Sequence, residues 1–199
     1  MKNHLDLSIV VVTWNAEEYL ENFINSIYEQ TEKISFEIWI VDNNSRDKTV
    51  TLIRKKYPQI KLIINSGNPG FGRANNQPIK KASGKYTLII NPDMIVKNRA
   101  IEKSLFFLKK HPRAGAVGVR LVNGGGNLQI SCARKFPSLW GELCYYLHLP
   151  STPLGKTKLF SSYNMSHWDH RGTRSVEAIT GAYLLAETHG NLLSKTQRN

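Results

Sequence analysis

Apolar runs and amphipathic stretches alternate along the first 120 residues. Leu7-Ser8-Ile9-Val10-Val11-Val12-Thr13 is almost continuously apolar and β-branched, the pattern of a strand buried on both faces. Trp14-Asn15 turns the chain. From residue 16 to about residue 30, Tyr19, Leu20, Phe23, Ile24 and Ile27 recur at helical spacing. Glu17, Glu18 and Glu21 fall in the first turns, where negative charge suits the helix dipole. Residues 36–41 predict a second strand that runs into the polar loop 42–47. Ser45, Lys48 and Thr49 mark a helix start, and Pro58 stops that helix near Tyr57. Residues 60–64 predict a third strand, and 65–72 a loop with three glycines. Residues 73–82 predict a helix that must accommodate Pro78. Ser83-Gly84-Lys85 turns into the apolar run that opens at Tyr86 and stops at Pro92, which cannot donate to a sheet ladder. Residues 98–110 then predict a helix and 114–119 a short strand.

After Asn123-Gly124-Gly125-Gly126-Asn127 the regularity fades. Residues 139–149 are apolar and aromatic, with Trp140, Tyr145 and Tyr146. They suit a helix on the sheet or a membrane-facing patch. Residues 150–174 read as a long loop, 176–185 resume core-like composition, and 187–199 read as a frayed tail. The β-α-β-α-β-α-β alternation predicts an α/β fold, a mostly parallel sheet with helices on both faces.

In such a sheet, ligands bind outside the carboxyl ends of the strands. Three predicted loops leave that edge, at 13–15, 42–45 and 91–93, so their side chains can converge. Asp42 can accept from a base N–H or a ribose hydroxyl. Asp93 can hold a divalent metal and through it a diphosphate, or it can cap the helix that follows. The loop Asn68-Pro69-Gly70-Phe71-Gly72 lets backbone approach a ligand closely. No Gly-x-x-x-x-Gly-Lys-Ser/Thr is present, and no Gly-x-Gly-x-x-Gly follows the first strand. P-loop and dinucleotide-binding chemistry are therefore set aside. His167-Trp168-Asp169-His170 has a His-x-x-His spacing, but no second ligand pair accompanies it, so it is not read as a zinc site.

The 199 residues suit one domain, or one with an appendage. No apolar run approaches the ~20 residues of a membrane span. The start leads straight into a strand, so no signal peptide is expected, and Cys132 and Cys144 are expected to be free thiols in a reducing compartment. Charge changes the picture more. Residues 1–93 carry 12 Lys and Arg against 10 Asp and Glu, a balance of +2. Residues 94–199 carry 15 against 5, a balance of +10, which favours an anionic partner. The basic residues are scattered, not interleaved with aromatics, which counts against nucleic acid.

The segments Ser8-Ile9-Val10-Val11-Val12-Thr13-Trp14-Asn15, Val41-Asp42-Asn43-Asn44-Ser45-Arg46-Asp47, Asn68-Pro69-Gly70-Phe71-Gly72-Arg73-Ala74-Asn75-Asn76 and Asn91-Pro92-Asp93 together resemble an ordered motif set. It is that of the family 2 inverting glycosyltransferases with a Rossmann-like GT-A fold, in particular the rhamnosyltransferase-like subgroup. Ser131-Cys132-Ala133-Arg134-Lys135-Phe136-Pro137-Ser138 and Gly181-Ala182-Tyr183-Leu184-Leu185 resemble later segments of that subgroup.

The resemblance implies a UDP- or dTDP-sugar donor bound by Thr13, Trp14, Asn15, Asp42, Asn44, Gly70, Phe71, Asn75, Asn91 and Asp93. It implies Mg²⁺ or Mn²⁺ on Asp93, with Asn91 at the first position of the family's acidic pair. It implies inverting transfer to a glycan or lipid-linked acceptor in surface polysaccharide synthesis. Residues 1–122 would form the donor half, 123–186 a partial acceptor-side region and 187–199 an atypical tail. The acidic segment that supplies the family's base has no match here and is expected beyond the end of this chain. Two alternatives follow: a nucleotide-sugar-binding remnant without transfer, and, more remotely, a basic nucleic-acid-binding module. The expected setting is cytoplasmic, with peripheral contact to an anionic membrane through the basic second half, and a homodimer is left open.

Overall fold

The structure is a computed structural model. It describes residues 5–188 except 130, 131, 137, 150, 151, 154–156, 158, 159, 161, 162, 164, 166 and 167. The reading of the first four residues, Ser131, Pro137, His167, the side chain of Tyr145 and residues 189–199 lies outside the described residues. The chain divides into two compact units. The first runs to Val117 and resumes at Gly181, and the second is Gly118–Thr180.

The first unit is built on a six-stranded sheet of order β3-β2-β1-β4-β8-β5. Its strands are β1 (Leu5–Thr13), β2 (Phe36–Asp42), β3 (Lys61–Ile64), β4 (Gly84–Ile90), β5 (Ala116–Val117) and β8 (Tyr183–Glu187). β1 pairs in parallel with both β2 and β4, and β2 with β3. Ser8, Ile9, Val10 and Val11 are consecutive and all fully buried, so both faces of β1 are covered, as its unbroken apolar run predicts. The helices α1 (Glu17–Gln30), α2 (Thr49–Lys56), α3 (Phe71–Ile79) and α4 (Ala100–Lys110) alternate with the strands. α1 buries Leu20, Phe23, Ile24 and Ile27, the predicted stripe. α3 packs on β1 and β2, and α4 on β5 and β8. The architecture is the expected mostly parallel α/β sheet.

Several boundaries differ from the pattern, each for a local reason. α3 starts at Phe71 and ends at Ile79; Pro78 has no N–H to bond the Ala74 carbonyl, and the chain leaves through a tight turn in which the Lys81 N–H donates to the Pro78 carbonyl at 2.8 Å. α4 starts at Ala100, not Asn98, since Asn98 and Arg99 both hold left-handed φ values of 55° and 54°. The strand read over 114–119 shrinks to Ala116–Val117.

The last two described residues are tied into the sheet. Glu187 ends β8 and pairs with Tyr86, and the buried Thr188 donates its N–H to the Lys85 carbonyl at 3.0 Å. The Thr188 hydroxyl donates to the Gly84 carbonyl at 2.7 Å and meets the Thr87 hydroxyl at 2.9 Å. β8 is antiparallel between β4 and β5, so the chain returns to the first unit after residue 180 and is held in the sheet through Thr188, while the rest of the expected tail lies outside the described residues. Sequence missed this because Glu187-Thr188 looks polar, while their partners lie about a hundred residues away.

The opposite, amino edge of the sheet is pinned by Glu37. Its buried carboxylate accepts from the Ser8 hydroxyl at 2.6 Å, the Ser83 N–H at 2.7 Å and Lys61 Nζ at 2.5 Å. Gly84 crosses β1 so closely that a Cβ there would sit 2.4 Å from Ser8 N, so only glycine fits.

The second unit holds β6 (Ala133–Arg134) antiparallel to β7 (Ala178–Ile179) and the helix α5 (Leu139–Tyr146). The helix is shorter than the apolar run that predicts it. Cys132 and Cys144 are buried free thiols. Among the described residues no helix is long and apolar enough to cross a membrane.

Burial alone pushes Glu37 upward, but the bonds from Lys61, Ser8 and Ser83 outweigh it and leave the carboxyl below its ordinary value of 4.5. A carboxylate held low in the folded state stabilises above the unfolded value, and that contribution fades as pH falls through the folded one. Glu37→Gln is expected to cost about 2 kcal/mol at neutral pH. It should also flatten the acid limb below pH 4.5, as read from urea unfolding across that range. Thr188→Val is expected to lower stability by about 1 kcal/mol in the same assay, because it strands the Gly84 carbonyl and the Thr87 hydroxyl. An unchanged midpoint would remove Thr188 from the core.

Candidate functional site

The parallel register sets Thr13 level with Asp42 at the carboxyl edge of the sheet. Asp42 is fully buried, so its charge needs partners. It accepts from the Ser45 N–H at 2.8 Å, the Ser45 hydroxyl at 2.5 Å and the Thr13 hydroxyl at 3.2 Å. The same hydroxyl of Ser45 accepts from the Asn15 N–H at 2.8 Å, and Asn15 Oδ1 accepts from the Arg46 N–H at 2.8 Å. The loop after β1 and the loop after β2 are thereby stitched together.

That stitching also caps two helices. α1 has no side-chain cap of its own at Ala16. Instead the Ala16 N–H donates to the Thr49 hydroxyl at 2.9 Å and the Glu17 N–H to Asp47 at 3.0 Å. Glu17 in return accepts from the Lys48 N–H at 3.0 Å, at the start of α2. Burial pushes Asp47 upward, but the bonds from Thr49 and the Glu17 N–H hold its carboxyl below the ordinary value. Asn15 and Asn44 take left-handed φ values of 51° and 64°, a conformation asparagine tolerates better than most residues.

A third loop joins through a chain of amides. Asn43 Nδ2 donates to Asn68 Oδ1 at 3.1 Å, Asn65 Nδ2 to Asn43 Oδ1 at 2.9 Å, and Gln77 Nε2 to Asn65 Oδ1 at 3.0 Å. Asn68 Oδ1 also accepts from the N–H of Gly70, whose φ of 87° opens α3. The result is an open cleft of about 340 Å³ lined by Trp14, Asn15, Asn43, Asn44, Arg46 and Asn68. Trp14 lines this cleft and is 59% exposed, an aromatic surface of the kind that suits a flat ligand.

Of the residues read from sequence, Trp14, Asn15 and Asn44 line the cleft, while Thr13 and Asp42 are buried at the strand ends beside them. Gly70 and Phe71 open α3, and Phe71 is half exposed. Asn75 is buried, its amide donating to the Phe71 carbonyl at 2.9 Å while its Oδ1 accepts nothing among the described residues. Asn91 follows β4 and donates its N–H to the Ala182 carbonyl at 3.1 Å. Asp93 is exposed on the same sheet edge, with no hydrogen bond or ion pair to its carboxylate among the described residues.

Sequence reading passed over Asn43, Ser45, Arg46, Asn65, Asn68 and Gln77 as individual site residues. The density of short amides after β2 and β3 was the available signal, but which amide meets which is a tertiary matter. Arg73 lines a second groove of about 440 Å³ with Ile63, Asn76, Gln77, Lys80 and Lys81.

Past Asp93, Glu102, Asp169 and Glu177 accept from backbone N–H groups. Glu102 is buried and accepts from the N–H groups of Glu32 and Lys33. Glu187 pairs opposite Tyr86, toward the amino edge of β4. In the second unit, Glu177 accepts from the Phe136 N–H at 2.7 Å. There too, Cys132 Sγ lies 3.3 Å from His170 Nδ1, and among the described residues no cluster of three metal-ligating side chains forms.

Comparison with known proteins agrees with this frame. The model of "Glycosyl transferase family 2" matches residues 8–171. A poly(ribitol-phosphate) β-N-acetylglucosaminyltransferase of Staphylococcus aureus is 28% identical over 129 residues, 61% of this chain and 22% of that protein. An N-acetylglucosaminyl-diphospho-decaprenol L-rhamnosyltransferase of Mycobacterium tuberculosis is 29% identical over 144 residues, 67% of this chain and 46% of that protein. The crystal structure of residues 1–349 of the Staphylococcus aureus enzyme with UDP superposes with a TM-score of 0.55 at 26% identity, covering 64% of this chain and 39% of that one. A mannosyltransferase from Pyrobaculum calidifontis shares the fold, with a TM-score of 0.51 at 23% identity over 59% of this chain and 36% of that one. The chain spans less than half the length of these relatives. With a matching model over most of its length and a sheet edge that carries the family's motifs in order, the chain belongs to glycosyl transferase family 2.

Proposed function

We propose that this chain binds a nucleotide-diphosphate sugar, UDP- or dTDP-linked, at the carboxyl edge of its sheet and serves inverting sugar transfer to a glycan or lipid-linked acceptor. The observation that carries the reading is the amide-rich cleft beside Trp14, with Asp93 exposed on the same edge. The base would stack on Trp14, and Asn15, Asn43 and Asn44 would read its polar atoms and the ribose, with Asp42 and Thr13 fixing the loops behind them. Arg46 supplies a cation at the cleft for the diphosphate. One relative, solved with UDP, supports the donor class, and another, named for transfer to a lipid diphosphate, supports a lipid-linked acceptor.

A single exposed carboxylate fits a hard divalent cation of the Mg²⁺ or Mn²⁺ kind, which keeps several waters and takes the rest of its shell from phosphate. Asp93 would hold it, with the Asn91 side chain close by in sequence. Such a cation, when bound, offsets negative charge on a leaving diphosphate. The protein's own part is to fix the donor between the β1, β2 and β4 loops so that one face of the sugar is presented for attack.

A second reading, donor binding without transfer, is favoured by the first unit's own carboxylates past Asp93, since Glu102 is buried under the Glu32 and Lys33 N–H groups and Glu187 pairs opposite Tyr86 toward the amino edge. Transfer to any acceptor by this chain would eliminate that second reading.

Thermal-shift titration with UDP, dTDP and GDP, with Mg²⁺, Mn²⁺ or chelator, tests the donor site. At ~100 times its dissociation constant a nucleotide should stabilise by about 2.7 kcal/mol and raise the midpoint by several degrees. Asp93→Ala is expected to abolish the metal-dependent part of the shift and leave the ligand-free midpoint unchanged, since the side chain is exposed. Trp14→Ala should weaken nucleotide binding by about tenfold, because stacking on an aromatic contributes ~1–3 kcal/mol per base. A midpoint indifferent to every nucleotide, with and without metal, sinks the donor-site reading.

A further inference from the structure

The helix α5 is built inside out. Among the described residues its large apolar side chains Leu139, Trp140, Leu143 and Tyr146, and Leu147 just beyond it, are 94, 46, 48, 75 and 59% exposed. Helical geometry carries on through Leu147, whose N–H donates to the Leu143 carbonyl at 3.0 Å. At 3.6 residues per turn these five positions fall within an arc of about 120°. Gly141 and Cys144, on the other side, are the buried ones. A soluble helix normally turns its apolar stripe inward, so a stripe this wide facing out marks an interaction surface.

Three observations select an anionic lipid surface as its occupant. First, the stripe carries a tryptophan and a tyrosine among leucines, the composition that settles at the boundary between headgroups and acyl chains. Second, the exposed Lys135 and His148 flank α5 in sequence at its two ends, and Phe136, beside Lys135, is a further exposed aromatic. Third, residues 118–180 carry seven Lys and Arg against three Asp and Glu, a balance of +4, and Glu142 is the one acidic residue of α5. Charge of that sign complements phosphate headgroups and repels a second copy of the same unit.

We propose that the outward face of α5 docks this chain on an anionic membrane surface, with Leu139, Leu143 and Leu147 entering the acyl boundary and Trp140 and Tyr146 at headgroup depth. The docking does not depend on the donor-site reading, and its test does not involve nucleotide.

The full chain is sedimented with vesicles of phosphatidylcholine carrying about one third phosphatidylglycerol, and with phosphatidylcholine alone. Binding is expected to the first set, weaker to the second, and reduced by salt. Leu139→Asp with Leu143→Asp places two charges on exposed positions and should leave the fold intact, checked by circular dichroism and the thermal midpoint. It should lower partitioning at least tenfold. Lys135→Glu should lower binding to the anionic vesicles and spare the weaker binding to neutral ones. Vesicle binding that survives the double substitution would overturn the proposal, as would no binding by the unaltered chain. A concentration-dependent dimer abolished by the same substitution, without lipid binding, would overturn it in favour of a second copy on this face.

Discussion

A buried carboxylate organises the first unit. Asp42 is wholly removed from water at the end of β2, and an unpaired charge there would be untenable. Ser45 and Thr13 satisfy it, and through Ser45 the requirement spreads to Asn15, which in turn fixes Arg46. Each bond is worth roughly 1 kcal/mol by itself, but they share atoms, so the two loops set as one piece. The cleft owes its walls to this, since five of its six lining residues belong to those two loops and would otherwise be free to wander.

The opposite edge uses the same device for a different end. Glu37 gathers donors from β1, β3 and the turn before β4, and so locks the register of three strands at their amino ends. Register and site are thereby linked. A slip of β2 by one residue would turn Asp42 to the other face of the sheet and leave Glu37 without Ser8. The amino edge holds the strands in line, and the carboxyl edge spends that alignment on a ligand site.

The two units treat apolar surface in opposite ways. In the first, the helices bury their stripes and the sheet is covered on both faces. In the second, α5 buries a glycine and a cysteine and leaves leucines, a tryptophan and a tyrosine outside.

Sequence by itself determined the strands and helices of the first unit, because uninterrupted β-branched runs and 3.6-residue stripes leave few alternatives. It also determined that Asp42 and Asp93 stand at the same edge, since parallel strands joined by helices must end together. It could not decide the role of β8. Tyr183–Glu187 is one more apolar run until Thr87, Thr188 and Gly84 are brought together. Nor could it decide that Asp42 is buried behind the cleft while Asn43 and Asn68 face each other across it, because amide pairing is set by register and loop geometry and carries no periodic signal. For α5 the pattern allowed a helix packed inward or one facing outward. Burial of Gly141 and Cys144 decided it, for orientation depends on what a helix finds to pack against, and that is known only when the chain has folded.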